Sequence, residues 1–131
     1  MTDKVVDASA IVALLFNERT RDTVAADLRG ATLHAPALLE FEVANACLKK
    51  MRGLPNEQGA LLQAFSLLAQ LSIKAEMIDL NAALALAQRT DLSLYDASYL
   101  WLAQTLDAEL VTLDGELSRA HRTLSGSERR R

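Results

Sequence analysis

The hydrophobic pattern divides the chain into short apolar runs that alternate with longer amphipathic segments. The short runs, at 4–7, 32–35, 75–78 and 108–114, have the length and the apolar content of buried strands. Between them, apolar residues recur three or four positions apart, as they do on one face of a helix. Strands that alternate with helices predict βαβ units, and therefore an α/β fold built on a parallel sheet.

Helices are expected at 9–16, 19–28, 37–51, 56–71, 81–90 and 93–106. Ser9 is the expected N-cap of the first helix, while Gly30 and Gly53 are expected to end the second and third. The helix over 56–71 carries a wide apolar stripe, which serves either the core or a partner: Leu61, Leu62, Phe65, Leu68 and Ala69. The pattern predicts one domain over 1–124, followed by a polar, basic and frayed tail over 125–131.

Composition places the chain among compact globular proteins. Half of its 131 residues are apolar, 24% are charged and only two are proline, which is not the composition of a disordered chain. The single cysteine, Cys47, lies in the apolar run VANACL and is expected to be a small core residue in a reducing compartment. The apolar run over 8–16 is too short to span a bilayer and lacks a basic leader. We therefore expect a cytoplasmic protein without a membrane partner.

The formal net charge of −3 argues against a broad surface for binding polyanions. That conclusion depends on where the acidic residues lie. If four of the 17 acidic side chains hold metal ions, 13 remain against 14 basic ones, a balance of +1. The overall acidity therefore does not exclude a nucleic-acid substrate.

Acidic residues stand where ligands of parallel sheets are usually bound. Asp7 and Asp114 each follow a predicted strand, and ligands bind outside the carboxyl ends of such strands. Either residue alone is more simply explained as a helix cap, and Asp96 completes an S-x-x-D capping box with Ser93. A carboxylate has two oxygen atoms, so capping and ligation are compatible.

The helix over 37–51 carries an unusual polar stripe. Glu40 and Glu42 lie about 200° apart around its axis, whereas Glu42, Asn45 and Lys49 share one face. By itself this stripe is more typical of a solvated face than of a binding site.

Carboxylates that converge on one point are stable mainly around a hard cation. Ligation by oxygen alone suits Mg²⁺ or Mn²⁺, and such ions suit phosphoryl chemistry. His34 and His121 are isolated in the sequence and are expected to be ordinary hydrogen-bonded histidines, not ligands.

Four motifs in order give the chain a family resemblance. VVDASAI, APALLEFEVANACL, LSLYDASYLWLA and LVTLD, spread from residue 4 to about residue 117, together resemble the PIN domain. Within that family the chain is most similar to the toxin ribonucleases of VapBC toxin–antitoxin pairs. The resemblance implies a three-layer α/β/α sandwich on a parallel sheet of four to five strands, in the order 3-2-1-4-5. It also implies Mg²⁺- or Mn²⁺-dependent hydrolysis of RNA by an activated water.

The resemblance assigns roles to residues by their match to the family motifs. Asp7, Asp96 and Asp114 would ligate the metal, and Glu42 would ligate it or orient the attacking water. Three polar residues would support these carboxylates from behind: Ser9, Asn45 and Thr112. The implied partners are RNA, a cognate VapB-type antitoxin and a second copy of the toxin in a homodimer.

The C-terminal region departs from the family pattern. Only RTL at 122–124 is available for a fifth strand, so that strand is short or missing. Glu116 is expected to be a surface residue. Two basic clusters are candidates to guide RNA, although each residue alone is more typical of solvated charge: Lys49, Lys50 and Arg52, and Arg119, Arg122 and 129–131.

Other functions require residues that this chain lacks. A phosphatase of the haloacid-dehalogenase type needs a second Asp two residues after the first, where this chain has Ser9. A receiver domain needs an adjacent pair of acids before the first helix and a Lys after a late strand. The remaining alternative is a binding module that kept the PIN fold and lost catalysis, against which the four filled acidic positions argue.

Overall fold

The computed structural model describes residues 2–129, with side chains described as far as residue 125. Four strands alternate with seven α-helices. In chain order these are β1 (Thr2–Val6), α1 (Ala8–Leu15), α2 (Arg21–Leu28), β2 (Ala31–Pro36), α3 (Leu38–Gly53), α4 (Gln58–Ser66), β3 (Lys74–Glu76), α5 (Leu80–Thr90), α6 (Leu94–Leu106), β4 (Glu109–Val111) and α7 (Gly115–Arg129).

The strands form one parallel sheet in the order β3-β2-β1-β4. Lys4 pairs with Leu33 of β2 and with Glu109 of β4, so β1 lies in the interior of the sheet. The predicted α/β class and the order 3-2-1-4 are confirmed. The carboxyl ends of all four strands consequently meet at one edge, where the candidate site must lie.

The sheet has four strands within the described residues, which is the lower of the two numbers predicted. Residues 122–124, the only candidate for a fifth strand, lie inside α7, and no fifth strand is present within residues 2–129. Leu117, Ala120 and Leu124 recur at helical spacing and pack on the core, which favours a helix over a strand. The helix also includes 125–129 of the expected tail, whereas 130 and 131 lie outside the described residues.

The core surrounds β1 on both faces of the sheet. Successive residues of a strand point to opposite faces, and both Val5 and Val6 are fully buried. Ile11 of α1 and Leu100 of α6 belong to the same cluster. Helices therefore cover both faces, as in the predicted three-layer sandwich. Cys47 is buried as a free thiol, in agreement with its expected core position.

The segment predicted as one helix over 56–71 is broken. Only Gln58–Ser66 is α-helical, and 3₁₀ turns flank it at Pro55–Glu57 and Leu67–Leu71. Ser72 then adopts a left-handed backbone with a φ of 53°, which ends the segment. The α-helical part contributes no fully buried residue, so its apolar stripe is only partly covered by this chain.

None of the helices within residues 2–129 is both long and apolar enough to cross a membrane.

His34 links three neighbouring strands. Its Nδ1 lies 2.8 Å from Oε1 of Glu76 on β3, and its Nε2 lies 2.9 Å from Oδ1 of Asp3 on β1. Burial by itself lowers the pKa of His34, but the hydrogen bonds and charges of Glu76 and Asp3 outweigh it and raise the pKa. His34 therefore links the three-residue strand β3 to the rest of the sheet, and its two acidic partners favour the protonated imidazole.

Replacing His34 should destabilise the fold in a pH-dependent way. A raised folded-state pKa gives stabilisation that is complete below the ordinary pKa of about 6.5 and is lost as the pH rises through the raised value. We expect His34→Gln to lower the free energy of unfolding by about 1–3 kcal/mol at about pH 6, and by less at about pH 9. Urea denaturation at both pH values measures this. The exposed Asp22 provides a control, since Asp22→Asn should change little at either pH; an equal deficit of His34→Gln at both would contradict the interpretation.

Candidate active site

Asp7 is the first residue after β1 and its carboxylate is buried, with 5% of the residue exposed. One carboxylate oxygen, Oδ1, accepts hydrogen bonds from the hydroxyl of Ser9 at 2.7 Å and from the backbone N–H of Ala10 at 3.1 Å. The other, Oδ2, accepts a hydrogen bond of 2.5 Å from the hydroxyl of Thr112. Both oxygens are thus oriented by the protein, at the carboxyl edge of the sheet.

The same two hydroxyls tie the segment after β4 to the start of α1. Ser9 Oγ accepts a hydrogen bond from the backbone N–H of Leu113 at 2.9 Å, and Thr112 Oγ1 accepts one from the N–H of Asp114 at 3.0 Å. Each hydroxyl therefore donates to Asp7 and accepts from this segment. Ser9 and Thr112, expected as supporting residues, are in direct contact with Asp7.

Two details of the expected geometry were wrong. The N-cap of α1 is Asp7 and not Ser9, because the helix begins at Ala8 and the Asp7 side chain accepts from Ala10. Strand β4 ends at Val111, three residues before Asp114, which instead accepts from the N–H of Leu117 at 3.0 Å and so caps α7. Asp114 is exposed and stands beyond the edge of the sheet.

Glu42 on α3 is half-buried and is held by a residue that the sequence did not single out. The phenolic hydroxyl of Tyr99 on α6 donates to Oε1 of Glu42 at 2.6 Å. A buried tyrosine needs a partner for its hydroxyl, and Tyr99 stands one turn after Asp96 on the same helix face. That combination is the only signal in the sequence that could have pointed to it.

Asp96 lies in the first turn of α6, with Ser93 as the N-cap. The hydroxyl of Ser93 accepts from the backbone N–H of Asp96 at 3.1 Å, so one half of the predicted capping box is formed. This arrangement leaves the Asp96 carboxylate half-buried at the helix start.

The four acidic side chains act on one another electrostatically. Burial raises the pKa of Asp7 in spite of the hydrogen bonds from Thr112, Ser9 and Ala10, and the charge of Asp114 raises it further. Burial likewise raises the pKa of Asp96, to which the charges of Asp114 and Asp7 add.

Burial and neighbouring carboxylates also raise the pKa of Glu42. Burial raises its pKa, the hydrogen bond from Tyr99 opposes that rise, and the charges of Asp96 and Asp7 reinforce it. For Tyr99, burial and the Glu42 carboxylate both raise the pKa of the phenol, which therefore stays protonated and donates. The structure thus brings the four predicted acids into one region of negative potential.

The acids are near one another without forming a closed ligand set. Within residues 2–129, no three Asp, Glu, His or Cys side chains are arranged so that they could hold a metal ion as they stand. The donors available are nonetheless carboxylate oxygens alone, which fit a hard divalent cation such as Mg²⁺ or Mn²⁺.

Among the described residues, Asn45 has no hydrogen bond to the four acids, whereas Glu116 acts on one of them through its charge. Asn45 is exposed on α3, and no hydrogen bond in the described part of the chain connects it to the four acids. Glu116 is exposed, as expected, but its charge contributes to the raised pKa of Asp96, so it borders the site.

The histidines take no part in the acidic site. His34 has two partners, as described above. His121 accepts a long hydrogen bond of 3.4 Å from the N–H of Leu110, while its buried Nδ1 has no partner among the residues that the structure describes. The expectation of full hydrogen bonding was therefore correct for His34 and wrong for His121.

Comparisons with known proteins agree with this geometry. The family model described as PIN domain matches residues 4–122. Ribonuclease VapC3 of Pyrobaculum aerophilum is 36% identical over 119 residues, which cover 87% of this chain and 91% of the relative. Ribonuclease VapC12 of Mycobacterium tuberculosis is 32% identical over 118 residues, covering 89% and 91%. The crystal structure of PAE2754 from Pyrobaculum aerophilum superposes with a TM-score of 0.73 at 26% identity, covering 99% of this chain and 97% of that one. The chain belongs to the PIN domain family.

Proposed function

We propose that this chain is a metal-dependent endoribonuclease, the toxin of a type II toxin–antitoxin pair that acts in the cytoplasm. The observation that carries the proposal is the buried Asp7 carboxylate at the sheet edge, whose two oxygens are oriented by hydroxyl groups and which lies within electrostatic reach of Glu42, Asp96 and Asp114. The names of the relatives, which are ribonucleases, support the reaction class. The buried free thiol of Cys47 is consistent with a reducing compartment.

A divalent cation fits the chemistry of these residues. Clustered carboxylates with raised pKa values repel one another when they are charged, and a hard cation among them relieves that repulsion. We assign the ligand role to Asp7, Asp96 and Asp114. When bound, Mg²⁺ or Mn²⁺ supplies positive charge that eases deprotonation of the attacking water and stabilises charge on the phosphodiester.

The side chains around the cation have separate proposed roles. Asp7 is held in place by Ser9 and Thr112, so a ligand at this position is oriented before any substrate arrives. Glu42 ligates the cation or orients the water, and its raised pKa suits it to accept the proton of that water. Asn45 lies one turn after Glu42 on the same helix and is exposed, and its proposed role is to support Glu42.

An antitoxin and a second copy of the toxin are the proposed protein partners. Phe41, which precedes Glu42 on α3, is 81% exposed, and Leu62 on α4 is 47% exposed. A largely apolar groove of about 490 Å³ lies nearby, with α3 and the segment 65–73 among its walls. Exposed apolar surface of this kind supports a protein partner that docks on α3 and α4.

Replacing Asp7 should abolish both cleavage and metal binding while the fold is kept. Asparagine retains the shape, and Thr112 Oγ1 can accept from its amide where it now donates to Oδ2. We expect Asp7→Asn to cut no RNA, and we expect Mn²⁺ to raise the melting temperature of the wild type but not of the variant. Gel analysis of RNA and differential scanning fluorimetry measure the two effects.

The exposed Asp22 on α2 gives a matched control for that experiment, since Asp22→Asn should behave as wild type in both assays. Equal stabilisation of Asp7→Asn and wild type by Mn²⁺ would remove Asp7 from the metal site. Wild-type protein that neither binds the ion nor cuts RNA would favour the binding-module alternative.

Glu42 and Glu40 provide a matched pair on one helix. Both are glutamates of α3, but Glu42 is half-buried against Tyr99 whereas Glu40 is exposed on another face. We expect Glu42→Gln to lower the rate of RNA cleavage by about 10- to 100-fold, and Glu40→Gln to change it less than about twofold. Initial rates on a fluorescent RNA substrate measure both. Similar losses in the two variants would show that general acidity, not the position of Glu42, determines activity.

Tyr99 should act by positioning Glu42. Phenylalanine keeps the buried ring and removes only the hydrogen bond, so we expect Tyr99→Phe to lower kcat about tenfold with little change in KM. Because the Tyr99 hydrogen bond lowers the pKa of Glu42, its loss should move the acidic limb of the pH–rate profile to higher pH. A variant that loses activity through unfolding alone would keep the profile of the wild type, which distinguishes the two explanations.

A further inference from the structure

A second concave surface adjoins the acidic site. A cavity of about 520 Å³ lies between the C-terminal end of α5, residues 91–92 and the first half of α7. Two arginines line it, Arg89 from α5 and Arg119 from α7. Asp91 and Glu116 line it as well, so the cavity carries charges of both signs.

The cavity and the acidic site share the start of α7. Asp114 caps this helix, and Glu116 in its first turn forms part of the cavity wall. The charge of Glu116 also reaches Asp96, which places the wall beside the candidate metal ligands. The cavity is therefore the concave surface that adjoins the acidic site at the start of α7.

The guanidinium group of Arg119 lies over the first residue of α7. Its Nη1 is 3.0 Å from the position that a Cβ atom at residue 115 would occupy, a space left open because that residue is Gly115. The side chain thus runs back toward the N-terminal end of α7, which Asp114 caps, instead of extending away along the helix. Glycine at this position lets the positive charge lie close to the helix start.

Neither arginine is neutralised by an ion pair with another described side chain, whereas three other basic residues are. Lys4 pairs with Glu109, Arg21 with Asp22, and Lys50 with Glu18. In the part of the chain that the structure describes, no carboxylate lies within 4.0 Å of the charged nitrogens of Arg89 or Arg119. Their charges are available to a ligand.

We propose that Arg89 and Arg119 bind backbone phosphates of the RNA strand next to the phosphodiester that is cleaved. The choice of RNA as the ligand rests on the proposed ribonuclease function. A cluster of carboxylates repels a polyanion, and the chain is acidic overall, so binding needs a local positive charge beside the site. Arginine suits this role because its planar guanidinium matches two phosphate oxygens at once.

Neutral variants of the two residues test the proposal by RNA binding without cleavage. The probe is a fluorescein-labelled single-stranded oligouridine, whose fluorescence anisotropy is followed in EDTA with the chain of residues 1–131. We expect Arg89→Gln and Arg119→Gln each to weaken binding about two- to fivefold, and the double variant about tenfold. The slope of log K against log salt should fall by about 1.4 in the double variant, since each phosphate contact on a single strand contributes about 0.7.

Arg29 is the matched control. It is exposed and directly precedes Gly30 at the start of β2, which puts it at the amino edge of the sheet, opposite to Asp7. Arg29→Gln removes the same charge and should leave the affinity and the salt slope unchanged. An equal loss with Arg29→Gln, no loss with the double variant, or no binding of oligouridine by the wild type would each overturn the proposal.

Cleavage assays with Mn²⁺ separate this proposal from the proposed function. The double variant should raise KM for RNA about tenfold with kcat nearly unchanged, because the arginines contact the backbone away from the reacting atoms. RNA that is bound through the arginines but never cut would contradict the ribonuclease function alone. RNA that is cut equally well by wild type and double variant would contradict the role of the arginines alone.

Discussion

The burial of the Asp7 carboxylate is the constraint on which the other parts of the site depend. A buried carboxylate is costly unless hydrogen-bond donors replace the lost water, and here Ser9, Ala10 and Thr112 supply them. Those donors come from α1 and from the residue after β4, so satisfying one charge fixes the relative positions of two distant chain segments. Burial raises the pKa of Asp7 because it disfavours the charged carboxylate, and a cation bound beside that carboxylate would stabilise its charge.

A second hydrogen bond fixes the positions of two helices that carry acidic residues of the site. The hydrogen bond from Tyr99 to Glu42 joins α6 to α3 across 57 positions of sequence. Since Asp96 is one turn before Tyr99, the same contact determines how far Asp96 stands from Glu42. The carboxylates of Asp7, Glu42 and Asp114 each accept from a neutral hydroxyl or a backbone N–H, and no basic side chain enters into these hydrogen bonds. The repulsion between the carboxylates is therefore not offset by a basic side chain of the described residues, and a divalent cation bound among them would reduce it.

The sequence predicted the parts of this arrangement that are set by periodicity. Alternating strands and helices gave the parallel sheet, and the strand-end position of Asp7 placed it at the binding edge. The polar stripe of α3 marked Glu42, although it suggested a solvated face when taken alone. The predicted strand-end position marked Asp114 as well, and family resemblance then joined Asp96 and Asp114 to Asp7 as metal ligands.

The remaining features depend on contacts that a pattern does not contain. An aromatic residue on an apolar helix indicates core packing, so nothing local revealed that the Tyr99 hydroxyl reaches Glu42. The N-cap of α1 is Asp7 and not the predicted Ser9, because the Ser9 hydroxyl donates to Asp7 and accepts from the N–H of Leu113 instead of capping the helix. The helix predicted over 56–71 ends at Ser66, and the 3₁₀ turn after it packs Leu68 and Leu71 against the core, a tertiary contact that the apolar stripe does not reveal.

The distribution of charge explains how an acidic chain can act on a polyanion. In the proposed enzyme, a cation would cancel part of the negative potential at Asp7, Asp96 and Asp114 only at the reacting centre, and flanking phosphates would still meet an acidic surface. Unpaired guanidinium groups at the border of the site, such as that of Arg119 over Gly115, supply attraction over the adjoining nucleotides. Placing these cations outside the ligand sphere keeps them from competing with the metal ion for carboxylate oxygens. The two functions, holding a cation and holding a polyanion, are thus assigned to neighbouring surfaces that share the first turn of α7.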